Sequence, residues 1–112
     1  MSKVIRLSDR QKKKRQVFFS RFELNKLLSV YSRRVIRGEW KDYAINLDNG
    51  SAAFSVFGDT KAQPAFTIVK LASSKKGEGQ YLVYDGRRAI KRGSSITDAL
   101  AVFEREITLV SS

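Results

Sequence analysis

The 112-residue sequence contains no cysteine and no histidine. The first absence excludes disulfides, thiolate metal sites and cysteine nucleophiles. The second removes the commonest general base, and together they remove the usual zinc ligand sets and the serine-histidine and cysteine-histidine nucleophile systems. Carboxylates do not fill the gap. Glu39, Asp42, Asp48 and Asp59 sit in or beside turn-forming stretches, where Asp in particular serves local hydrogen bonds, and no pair has a spacing that demands acid-base chemistry. "GEGQYLVYDG" lacks the lysine placement and the following helix of a phosphate loop. We therefore expect a non-enzymatic protein without a cofactor. Apolar runs stay well short of the roughly 18 to 20 residues that span a bilayer, and "MSKVIRLSDRQKKKR" has too short an apolar segment for a secretory signal. The expected compartment is the cytoplasm, with no membrane partner.

Acidic residues are also few: 11 Asp and Glu stand against 22 Lys and Arg, a net charge of +11. Such a surplus predicts attraction to polyanions such as DNA or RNA and is silent about fold. It is unevenly spread. Residues 1–16 hold seven cations and Asp9, a net of +6, including the run Lys12, Lys13, Lys14 and Arg15. Dense like charge with little apolar surface predicts a flexible basic tail, although Val4, Ile5 and Leu7 are suited to docking on a partner or to a short edge strand. Residues 17–112 hold 15 cations and 10 acids and carry ordinary apolar content, so they are expected to fold as one domain.

At "SRFE" the pattern becomes definite. Ser20 and Glu23 form a capping box, Phe19 and Leu24 have staple spacing, and Leu24, Leu27, Leu28, Tyr31 and Val35 recur as one helical stripe. Gly38 supplies the stop, which predicts a helix over about Arg21 to Arg37. From Tyr43 the period shortens to two. Tyr43, Ile45 and Leu47, the turn "DNGS", then Phe54 and Val56 predict a hairpin. "AFTIVKL", "YLVYD" and "RAIKR" read as further strands, with "SSKKGEG" as a polar loop between the first two. Ser95 and Asp98 then cap a second helix whose apolar face is Ile96, Leu100, Phe103 and Ile107.

Helix, strands, helix implies an α+β domain: an antiparallel meander of four or five short strands flanked by an N-terminal and a C-terminal helix. Phe57, Thr67, Val69, Tyr81 and Val83 are assigned to the second sheet face, which would need cover from a helix, a subunit or bases.

Two cationic groups are candidate nucleic-acid contacts. Lys12, Lys13, Lys14 and Arg15 are suited to phosphates, giving affinity without sequence information; the plain alternative is a solubilising tail. In "DGRRAIKRG" strict alternation puts Arg88, Ile90 and Arg92 on one face and Arg87, Ala89 and Lys91 on the other. Arg87, Arg88, Lys91 and Arg92 would extend the footprint, with Arg88 and Arg92 as a ridge, unless they only guard an edge strand against aggregation. Arg33, Arg34 and Arg37 have an ordinary role near a helix C-terminus. Trp40, Phe57, Tyr81 and Tyr84 are candidates for base stacking, though most aromatics in so small a domain serve the core. The competing reading is a protein-interaction module, a homodimer or accessory subunit, whose tail aids solubility or meets an acidic protein.

The run from "FSRFEL", Phe19 to Leu24, a Phe-[Ser/Asp]-Arg-x-Glu-Leu helix start, through "GEWKDYAI", Gly38 to Ile45, and "FSVF", Phe54 to Phe57, with "IKRG", Ile90 to Gly93, resembles an alphaproteobacterial family of short proteins catalogued as domain of unknown function 2794. The resemblance covers roughly residues 18–103. The chain departs from it after Phe57, where "GDTKAQP" replaces a more basic segment. What the resemblance implies is a small intracellular bacterial protein; it brings no activity, cofactor or site residue.

Overall fold

Ser20 opens the first helix as its sequence context requires. Its Oγ accepts from the Glu23 N–H at 3.1 Å, and the Glu23 carboxylate accepts from the Ser20 N–H at 2.8 Å, so two donors orphaned at the helix start are satisfied reciprocally. The computed structural model describes residues 16–60, 62–72 and 80–111, with side chains as far as residue 104. In chain order these form α1 (Arg21–Ile36), β1 (Asp42–Asp48), β2 (Ser51–Phe57), β3 (Phe66–Leu71), β4 (Tyr81–Asp85), β5 (Arg88–Gly93) and α2 (Ile96–Ser111). The fold is α+β. The cations Lys12 to Arg15, the apolar Val4, Ile5 and Leu7, the loop 73–79 and the Ile107 side chain lie outside the described residues.

The five strands pair in sequence order as one antiparallel meander. Register follows from the tight turn at Asn49 and Gly50, where Gly50 takes a φ of 90° that side chains disfavour. It aligns Tyr43, Ile45 and Leu47 with Val56, Phe54 and Ala52, and carries Phe54 on to Ile68 and Ile68 on to Val83. These residues look toward the helices. Phe54, Ile68, Val56 and Val83 are fully buried there with Leu27, Val30, Ile96, Leu100 and Phe103. Burying each such side chain contributes about 1.5 to 3 kcal/mol.

Register also corrects the assignment of the two sheet faces. Tyr81 aligns with Lys70 and Val83 with Ile68, so both belong to the helix-covered side. Phe57, Thr67 and Val69 do lie on the opposite side, joined by Leu82 and Tyr84, which align with Val69 and Thr67. A second correction concerns α1. Its deepest residues are Glu23, Leu27, Val30 and Arg34, whereas Val35 is exposed. The buried stripe is rotated because α2 packs along one flank of α1, where Arg33 pairs with Glu104 and Arg34 reaches the Phe103 carbonyl.

Gly93 permits the closest approach of α2 to the sheet. A Cβ at this position would stand 2.7 Å from the Ala99 nitrogen, a main-chain atom with no freedom to move aside. Ser95 then caps α2 by accepting from the Asp98 N–H at 3.0 Å, and the Asp98 carboxylate accepts from the Ser94 N–H at 3.1 Å.

Candidate interaction surfaces

The strand cations do not gather on one face. Val83 pairs with Lys91 but Tyr84 pairs with Ala89, so Ile90 is an extra residue in a bulge. Arg88 therefore aligns with Asp85 and Arg92 with Leu82, three residues apart on β4 and on opposite sides of the sheet. The expected ridge of Arg88 and Arg92 is broken, because strict alternation does not survive the bulge. Ile90 packs against the core. Lys91 lies on the helix side and faces Asp98 at 3.7 Å, completing the cap of α2. Arg87 is in the turn before β5, exposed beside Gln63 and Pro64.

The helix arginines are structural. Arg34 is only 4% exposed; its guanidinium bonds Glu39 at 2.7 Å and lies over the rings of Trp40 and Phe103 at 5.4 and 5.3 Å. Arg37 meets the other oxygen of Glu39 at 3.1 Å. Arg33, in the cleft of about 330 Å³ between the helices, is held by Glu104. A second buried charge closes the other end of α1. Glu23 accepts from Lys70 Nζ at 2.8 Å and from the Tyr81 hydroxyl, and Lys70 also donates to the Phe18 carbonyl at 2.9 Å. Burial works to raise the Glu23 carboxyl, but the hydrogen bonds from Lys70, Tyr81 and Ser20 outweigh it and hold the group below its ordinary value of 4.5. Burial and the neighbouring Glu23 push the Tyr81 phenol well above its ordinary 10.0.

Of the four stacking candidates, Trp40 is buried beneath Arg34 and Tyr81 is committed to Glu23. Phe57 and Tyr84 remain half-buried on the helix-free face, alongside the hydroxyl pair of Ser55 and Thr67 at 3.4 Å.

Among the described residues, a row of three apolar side chains stays open at β1. Tyr43, Ile45 and Leu47 point to the helix side yet are 39%, 42% and 52% exposed, because β1 is the sheet's edge and the helices stop short of it. Tyr31 of α1 meets Tyr43, its ring 4.9 Å away, and Val35, one turn further along α1, adds exposed apolar surface. The main chain is open too. Val56 turns its carbonyl to β3, accepting from Ala65 at 2.8 Å, and Phe57 turns its own to β1, accepting from Lys41 at 2.7 Å. Alternation then directs the main-chain groups of Tyr43, Ile45 and Leu47 away from β2. The Tyr43 N–H is taken by the Asp42 carboxylate at 2.8 Å, and the Asn49 N–H by Asp48 at 2.8 Å. Among the described residues, the N–H groups of Ile45 and Leu47 have no such partner.

This surface escaped the sequence reading because period-two alternation marks Tyr43, Ile45 and Leu47 as inward-facing without telling how far the helices extend over them. The available signal was the pair Asp42 and Asp48, charged ends on a strand whose inward face is Tyr43, Ile45 and Leu47. Among the described residues no three potential metal ligands cluster, and no helix is long and apolar enough to cross a membrane. No curated protein and no solved structure matches the chain. The sequence over residues 17–100 does match the family described as protein of unknown function DUF2794, a span that begins just before the buried Phe19 and ends at the buried Leu100, and the chain belongs to that family.

Proposed function

We propose that this protein is a non-enzymatic interaction module of the bacterial cytoplasm that pairs with another polypeptide through β1. One observation carries the reading: an edge strand whose Ile45 and Leu47 N–H groups are directed away from β2, without a partner among the described residues, and which has three exposed apolar side chains on one face. Natural proteins ordinarily shield such an edge, as this one does at β5 with Arg88 and Arg92. An added strand would gain main-chain hydrogen bonds from the edge and specificity from alternate side chains. The direct test is Ile45→Lys in the full chain. Loss of self-association, or of a co-purifying partner, with unchanged thermal unfolding supports the reading; association undiminished by the lysine removes it.

A second reading is favoured by charge. Residues 1–16 carry a net +6, and Arg87, Arg88 and Arg92 are exposed, which suits weakly sequence-specific contact with DNA or RNA through phosphates. Fluorescence anisotropy with a labelled oligonucleotide at two salt concentrations tests it. Affinity that does not fall with salt, or with neutralisation of Lys12 to Arg15, excludes it.

A further inference from the structure

The two sheet edges differ in charge, and the difference selects what β1 accepts. β5 presents Arg88 and Arg92, whereas β1 is closed at both ends by carboxylates, Asp42 and Asp48, in a chain of net charge +11. A second copy pairing antiparallel about Ile45 would set Asp42 against the partner's Asp48 twice over, and like charges directly opposite are destabilising. A cationic segment with alternate apolar residues meets no such opposition.

The chain carries one. Residues 1–15 hold seven cations against Asp9 and include Val4, Ile5 and Leu7, with Lys3 and Arg6 interleaved. The segment joins the described fold at the right place: Gln16 bridges to Asn49, the residue that follows β1. Fifteen residues reach at most about 50 Å when extended, and a seven-residue strand is about 24 Å long, so the segment can reverse beyond Gln16 and still span the edge. Tethering at that point gives an effective concentration on the order of millimolar.

We infer that the outer edge of β1 is the docking place of this chain's own N-terminal segment, with Ile5 and Leu7, which share one face of an extended strand, supplying apolar contact to Tyr43, Ile45 and Leu47 and the cations facing Asp42 and Asp48. The inference rests on β1 being a pairing edge, and it makes that edge regulated. A polyanion that takes the cations withdraws the segment, so occupancy by a polyanion and exposure of β1 to a partner rise together.

Amide exchange of the full chain, followed by NMR, tests this at Ile45 and Leu47, with Phe54 and Val56 in the sheet interior as controls. Docking predicts that the Ile45 and Leu47 amides are protected in the wild type independently of protein concentration. It further predicts that they exchange at least tenfold faster in a full-length Ile5→Asp, Leu7→Asp variant, and likewise when a twenty-residue oligothymidylate is added, while Phe54 and Val56 are unchanged. Equal exchange in wild type and variant overturns the segment as occupant. If that equality is accompanied by protection that rises with protein concentration and is abolished by Ile45→Lys, β1 remains a pairing edge and a second copy is what fills it. If the two amides exchange freely under every condition, both the docking and the pairing edge are refuted.

Discussion

The Arg34 guanidinium bonds the Glu39 carboxylate at 2.7 Å while lying over the rings of Trp40 and Phe103. The charge is almost wholly withdrawn from water, but its partner is not: the Glu39 side chain is 36% exposed. The two halves of the pair therefore respond differently to removal. Glu39→Ala strips the compensating charge from a buried guanidinium and is expected to cost about 2 kcal/mol, below the range for fully buried pairs because water reaches the site. Arg34→Met replaces the charge with apolar volume and leaves a carboxylate that water can solvate, so its cost is expected to be smaller. Urea unfolding of both variants decides the matter; a costlier Arg34→Met refutes the asymmetry.

Glu23 is held below its ordinary value, so it stabilises the fold above the unfolded-state titration near 4.5 and loses that contribution as pH falls through the lower folded value. Glu23→Gln is expected to cost about 1 to 3 kcal/mol at pH 7, with the gap to wild type narrowing in acid. Denaturant unfolding at about pH 7 and pH 3 measures both. An equal gap at the two pH values is inconsistent with the network described.

Tyr81 behaves in the opposite sense. Its raised phenol favours the folded state while protonated, so stability is retained below about pH 10 and falls as pH rises through the window above that value. Tyr81→Phe is expected to lower stability at neutral pH by about 1 to 2 kcal/mol and to flatten the alkaline decline. Thermal unfolding across neutral and alkaline pH reads both effects.

Gly93→Ala tests the closeness of α2 to the sheet. The added methyl meets the Ala99 main chain, and displacing a whole helix is expected to cost about 2 to 3 kcal/mol, a fall in Tm of the order of 10 °C or more. A Tm within 2 or 3 °C of wild type, roughly half of one kcal/mol, contradicts the packing.

Lys91 and Arg92 are adjacent in sequence and have separate roles. Lys91→Ala removes the partner of Asp98 and is expected to lower Tm by a few degrees without altering polyanion affinity, whereas Arg92→Ala is expected to leave Tm unchanged. Differential scanning fluorimetry paired with anisotropy separates the two.

Much of the architecture was legible residue by residue. Ser20 and Glu23 marked the start of α1, Asn49 and Gly50 the first hairpin, and Ser95 and Asp98 the start of α2, because caps and tight turns are satisfied by neighbours a few positions away. Period and turn residues together also marked the strands, expected as a meander of four or five, and the sheet has five in sequence order. What lay beyond those signals depended on non-local partners. The bulge at Ile90 separates Arg88 from Arg92, α2 rotates the buried side of α1 from Val35 toward Val30 and Arg34, and the span of the helices leaves Ile45 and Leu47 uncovered at an edge. The sequence by itself determined which residues favour helix, turn and strand, since those preferences arise from backbone sterics and local hydrogen bonds. Only the tertiary structure decided which charges are buried and which apolar residues remain exposed, since burial is set by what packs opposite a residue, often from the far end of the chain.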